Sequence, residues 1–306
     1  MARWAAPCAL LVLLAAPGCV DSWGDGAGTA SAEALAVAEP AGAAALWTRT
    51  LGETDGPEDA VAALRERARA AAERLRTAPA ETVEADREEL ATACAALAHA
   101  PDAATLPWAE WLAEEHLRLP LLAVADLRAA ELVLGPDVLD LARPYDRRLA
   151  DEDLRLEVHR LFWLYDPAEA AARSRRLFLR EAPRARPFLQ QRWLEELAPR
   201  VGDARIVPLL EEIAASDAQD TYARRLALRE LGRRASPTTP AICESIFRSE
   251  RGDLLTRKEA LALLLELDPA RGRRVLTERL PEEEVDPSLA AFLDGLRSEQ
   301  GVAVEP

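Results

Sequence analysis

An all-α fold, built by stacking helix pairs into a superhelical solenoid, is what this sequence predicts. Three observations carry the prediction. Alanine, leucine, arginine and glutamate dominate the 306 residues, aromatics make up 5%, and glycine and proline are unremarkable in number; that is the palette of helices. A Leu-x-x-Leu pair recurs at Leu161/Leu164, Leu194/Leu197, Leu228/Leu231, Leu261/Leu264 and Leu293/Leu296, at offsets of 33, 34, 33 and 32 residues. Self-similarity at such a period marks a repeat architecture. Between the pairs stand helix-start signals: Asp166-Pro167, Asp203-Ala204, Thr239-Pro240 and Asp268-Pro269. Asp or Thr accepts from the free amides of a first turn, and proline fits the first helical position because its missing N–H has no partner there.

The chain starts MARWAAPCALLVLLAAPGC. Arg3 precedes an apolar run over residues 8–16, too short for a stable bilayer span, so residues 1–18 read as an export signal. The run closes on Ala16-Pro17-Gly18-Cys19. This resembles the lipobox of bacterial lipoproteins, in which a small residue precedes a cysteine that is diacylated and becomes the mature N-terminus. Ala16 stands where leucine is usual, and Pro17 is uncommon at its position. The resemblance implies an exported lipoprotein held to a membrane through acylated Cys19, on the periplasmic or cell-surface side. Two acyl chains anchor stably where one binds only marginally. Residues 19–55 are rich in small side chains and lack a sustained apolar stripe, which predicts a flexible tether. The GDGAG within them has neither the preceding strand nor the following helix stripe of a phosphate loop.

Residues 56–149 predict helices over 57–77, 107–118 and 120–133. In the first, Val61, Leu64, Ala68, Ala71 and Leu75 form a seam at helical spacing. Val61/Leu64, Cys94/Leu97 and Leu127/Ala130 extrapolate the repeat period backward, so this half is either degenerate repeat or an irregular helical bundle. From 150 to 301 each unit reads as two helices, 203–215 with 219–234 and 239–249 with 253–267. The segment DARIVPLLEEIAASDAQDTYARRLALRELGRRASP places Ile206, Val207, Pro208 and Leu210 on a first helix and Arg224-x-x-Ala227-Leu228-x-x-Leu231 on a second. Arg257-x-x-Ala260-Leu261-x-x-Leu264 repeats it 33 residues on. These units resemble HEAT repeats, which implies a right-handed α-α superhelix serving protein–protein interaction. The period also suits tetratricopeptide repeats, and LELDPA resembles the end of one, but the tryptophan, glycine and tyrosine of that family's first helix are missing. Residues 302–306 form a short tail.

Chemistry is harder to find. A net charge of −15 argues against nucleic acid as a partner, since phosphate binding needs basic surface. His99, His116 and His159 each lack neighbours that would complete a metal site, and Glu115 lies on another face of the helix from His116. No HExxH, GxSxG, P-loop or CxxC motif occurs. No cofactor, metal or catalytic residue is therefore expected, and an enzyme would need a site assembled from scattered carboxylates and arginines. Cys94 and Cys243 sit among apolar neighbours and read as separate buried thiols. Two features stand above this background as candidate partner-binding groups. One is the basic run Arg173, Arg175, Arg176, Arg180, Arg184 and Arg186. The other is the aromatic concentration between 108 and 193, in which Trp108 and Trp111 share a helix face. The expectation is a non-catalytic, lipid-anchored envelope scaffold for a protein partner, with a tetratricopeptide-like adaptor and an enzyme as the alternatives.

Overall fold

The computed structural model describes residues 34–77, 82–145, 151–181, 187–249, 253–277 and 287–301. The export signal, Cys19, the tether as far as residue 33, Arg184, Arg186 and the tail 302–306 lie outside them. Every regular element among the described residues is helical. In chain order these are α1 (Ala43–Glu53), α2 (Pro57–Thr77), α3 (Val83–Ala96), α4 (Trp108–Glu115) and α5 (Pro120–Leu134). Then come α6 (Val138–Ala142), α7 (Glu152–Tyr165), α8 (Pro167–Arg175), α9 (Pro187–Arg192) and α10 (Ile206–Ala215). The last are α11 (Thr221–Arg233), α12 (Thr239–Arg248), α13 (Leu254–Leu267), α14 (Pro269–Thr277) and α15 (Pro287–Gln300). Wider turns of π geometry, Arg176–Glu181 and Trp193–Leu197, extend α8 and α9.

Helices pack mainly on their chain neighbours: α2 on α3, α10 on α11, α12 on α13. Between units, like packs on like, α10 on α12 and α11 on α13. The leucine pairs explain this layering. Leu228, Leu231, Leu261 and Leu264 are wholly enclosed, and Leu161, Leu194, Leu197 and Leu293 are buried with them. One apolar cluster runs from Leu35 to Leu293, so residues on both sides of position 150 share a core.

A polar feature repeats along with the leucines. Arg224 Nε donates to the Ala214 carbonyl at 3.0 Å, and Arg257 Nε, 33 residues later, donates to the Phe247 carbonyl at 2.9 Å. Each arginine thus ties the second helix of a unit to the end of its first, satisfying a carbonyl that the helix terminus leaves open. Gln190 holds the same register in the preceding unit. Its amide donates to Gln219 Oε1 at 2.7 Å, and Gln219 in turn donates to the Phe178 carbonyl at 2.9 Å. Asp220 and Asp253 cap α11 and α13, accepting from the amides of Tyr222 and Thr256. Close approach is enforced by glycine at two places. A Cβ on Gly232 would lie 2.6 Å from Leu263 Cδ1, and one on Gly272 would lie 2.9 Å from the Leu265 Cα.

Two expectations need correction. The tether prediction fails over residues 34–53, which bury Leu35, Leu46 and Trp47 and form α1, packed on α2 and α3. Three large apolar groups on one side of an alanine-rich segment suffice to hold it down. Among the helix-start signals, Asp166 and Asp268 cap as expected, accepting from the amides of Glu169 and Arg271 at 3.0 Å. Thr239 does not: it is the first residue of α12 and wholly buried, and its hydroxyl has no partner.

Candidate functional site

The basic run is divided by its surroundings. Arg173 lies over the Phe162 ring, 3.9 Å from its centroid, and pairs with Glu169 one turn earlier on α8 at 2.5 Å. Arg175 reaches across to Glu212 of α10, also at 2.5 Å. Arg176 opens the π turn and is exposed, and Arg180 lies in the same turn. What the sequence presents as a block of positive charge is thus partly neutralised by glutamates from its own and the next helix.

The aromatic concentration is largely core. Trp108 is 2% exposed and its indole N–H donates to the Ala103 carbonyl at 2.9 Å, which removes it from a partner-facing role. Trp111 meets it edge-on at 5.3 Å and is half-buried, with the Arg65 guanidinium 4.0 Å from its ring centroid. Trp163, Phe178 and Trp193 form a buried ring cluster joined by His159, which stacks on Phe178. His116 spends Nδ1 on the carbonyls of its own helix, and His99 pairs with Glu39 at 2.7 Å. Among the described residues no group of three or more His, Cys, Asp or Glu is placed to hold a metal. Cys94 and Cys243 are free, buried thiols, and burial pushes Cys243 up to about 12.

Two charged clusters are buried where the sequence offers only isolated charges. In the first, Arg65 of α2 grips Glu115 of α4 and, at 2.6 Å, Asp126 of α5. In the second, Arg160 of α7 grips Glu131 of α5, Glu157 of its own helix and the Leu35 carbonyl ahead of α1. Arg128 reaches Glu157 from α5 at 3.0 Å. Two guanidiniums therefore meet two carboxylates here. Burial raises the Glu157 carboxyl, but Arg128 and Arg160 together outweigh it and hold it at about 2. Arg65, Glu115, Asp126, Glu131, Glu157 and Arg160 are all 6% exposed or less, while Arg128 carries the second cluster to the surface with 44% of its side chain in solvent. A substrate could not reach the buried carboxylates. A signal for the first cluster was available: Glu115 falls one turn beyond Leu112 and two beyond Trp108 on the apolar face of α4, and Asp126 interrupts the run Leu121 to Ala130.

The surface carries a different pattern. Phe188, Tyr222 and Leu255 are exposed by 68%, 42% and 52%, so each leaves a large apolar group in water. Each is the second residue of its helix, in α9, α11 and α13, and they follow one another at offsets of 34 and 33. In three successive units the Leu-x-x-Leu period that builds the core thus also sets an exposed apolar group at a helix start; the second residues of α7 and α15 are Asp153 and Ser288, and Leu117 and Leu132 are exposed outside the series. Tyr222 is steadied by its hydroxyl, which donates to Glu195 at 2.8 Å. On the first-helix side, a shallow open groove of about 500 Å³ lies beside Glu244, Arg248 and Arg271. No protein-family profile, no curated protein and no solved structure matches this chain. What the geometry defines is an all-helical protein with a buried polar interior and a periodic apolar edge.

Proposed function

We propose that this chain is a non-catalytic, lipid-anchored protein of the bacterial cell envelope, its helix pairs coiling as a right-handed HEAT-like superhelix that scaffolds a protein partner. The observation that carries the scaffold reading is the ladder of Phe188, Tyr222 and Leu255. Isolated exposed apolar residues are ordinary on any surface, but a row with the period of the repeat offers a partner regularly spaced anchor points. With packed helices about 8–10 Å apart, adjacent rungs lie within the reach of one bound segment. Aromatic anchors at such positions contribute much of the binding energy in protein interfaces. The lipid anchor rests on Ala16-Pro17-Gly18-Cys19. A tether now shortened to residues 19–33 would hold the helical body close to its membrane.

The test is affinity capture from detergent extracts with the full-length chain, alongside Phe188→Ser/Tyr222→Ser/Leu255→Ser and Cys19→Ala forms. The three ladder side chains are exposed, so their replacement should leave circular dichroism and melting unchanged while a stoichiometric protein partner is lost. Equal recovery of the partner by the triple variant would defeat the ladder reading. Cys19→Ala should move the protein from the membrane fraction to the soluble one, and continued membrane retention would defeat the anchor.

A further inference from the structure

We propose that Glu115 and Asp126 form a buried proton-binding site in which the two carboxyls share one proton, and that Arg65 closes them into a neutral clamp joining α2, α4 and α5. Arg65 divides its two terminal nitrogens, Nη2 to Glu115 Oε1 and Nη1 to Asp126 Oδ1. The other oxygens, Glu115 Oε2 and Asp126 Oδ2, are buried and receive no N–H. Both carboxyls therefore lean on one guanidinium, and each keeps a buried oxygen that no donor reaches; a proton held by the pair would supply one.

The surroundings offer one further cation, and it lies largely in water. On α2 the groups facing the pair are Arg65 and Arg69, and Arg69 comes no closer than 3.9 Å to Glu115, with 42% of its side chain in solvent. On α3 the facing group is the buried Cys94 thiol, which burial pushes up. On α4 and α5 there are only the two carboxyls. Fully ionised, the cluster would hold one cation against two anions in a space closed to water, which low dielectric penalises heavily. In the cluster around Arg160 a second guanidinium, Arg128, comes within 3.0 Å of Glu157, nearer than Arg69 comes to Glu115, although 44% of its side chain is in solvent. Burial raises both carboxyls, so the proton belongs to the pair; burial first and then the neighbouring Asp126 carboxyl raise the Glu115 carboxyl to about 9.

The proton gives α4 a pH-dependent hold on the rest of the molecule. Once it leaves, an uncompensated negative charge separates α4 from α5, and the Trp111 ring loses its fixed place under Arg65.

The experiment is infrared spectroscopy of the full chain at pH 7 and above pH 10, paired with melting curves across the same range for wild type and Glu115→Gln. The wild type is expected to show a protonated-carboxyl C=O band at pH 7 that disappears at alkaline pH. In Glu115→Gln, whose amide can donate to Asp126 in place of the proton, the band should already be missing at pH 7. The wild-type melting temperature should then fall more steeply with rising pH than that of the variant, by the linkage expected for roughly one proton. No such band in the folded wild type at pH 7, an undiminished band in Glu115→Gln, or parallel melting curves would overturn the proposal. Should the variant fail to fold, the wild-type band at pH 7 and its alkaline loss decide the matter alone.

Discussion

At Leu231 the side chain is wholly enclosed between α11 and its neighbours, so truncation leaves a cavity that the packed layers cannot collapse to fill. Leu231→Ala is expected to cost about 2–5 kcal/mol, read from the urea midpoint. Gly272 poses the opposite problem. Its added methyl would meet the Leu265 side-chain end at 2.7 Å and also the Leu265 backbone at 2.9 Å, which cannot swing aside, so α14 would have to move away from α13. Gly272→Ala should therefore destabilise by about 1–3 kcal/mol despite its better helix propensity, and a gain in stability would contradict the packing described here. At this scale the leucines were legible in the sequence, because apolar residues at a fixed period can only be core. The buried charges were less so. Glu115 and Asp126 at least fall on apolar helix faces, whereas Arg65 and Glu157 look like the solvated residues found on most helices, and partners 29–61 residues away in the chain help explain their burial.

Helices were predictable where they carried both a stripe and a stop. The sequence-based span 57–77 coincides with α2, and the spans for α10 to α13 differ by a few residues at their ends. Failure came at α1, whose alanines, glycine and threonines resemble a linker in composition; Trp47 and Leu46 become informative only when α3 is there to receive them. The N-cap of α13 gives a prediction at this level. Asp253 accepts from the Thr256 amide at 2.8 Å and from its hydroxyl at 2.7 Å, and also meets Arg224 of the previous unit at 3.4 Å. Asp253→Ala should lose about 1–2 kcal/mol, at the upper end for a cap, because a contact between units is lost with it. Hydrogen exchange should rise at the first turn of α13 and at the Arg224 side of α11, whereas a rise confined to α13 would mean that the bridge between units contributes nothing.

For the whole molecule, the two buried charge clusters bound stability from opposite sides. Glu157 is depressed in the folded chain, so its contribution is present above the unfolded carboxylate value and disappears as pH falls toward about 2. Glu115 is raised, so its contribution is complete below the unfolded value and is eroded as pH climbs to about 9. The net charge of −15 adds self-repulsion in the same alkaline direction. Stability in denaturant titrations should accordingly peak on the acid side of neutrality, and Glu157→Gln should flatten the acid limb while leaving the alkaline limb in place. A last consequence follows from Lys258. It is the only lysine in the sequence, it sits one turn after Leu255, and its ammonium donates to Ser288 at 2.7 Å. Amine-directed cross-linkers applied to the helical body therefore have a single attachment point beside the apolar edge. Whatever docks there can be covalently trapped at one known residue, without engineering the protein.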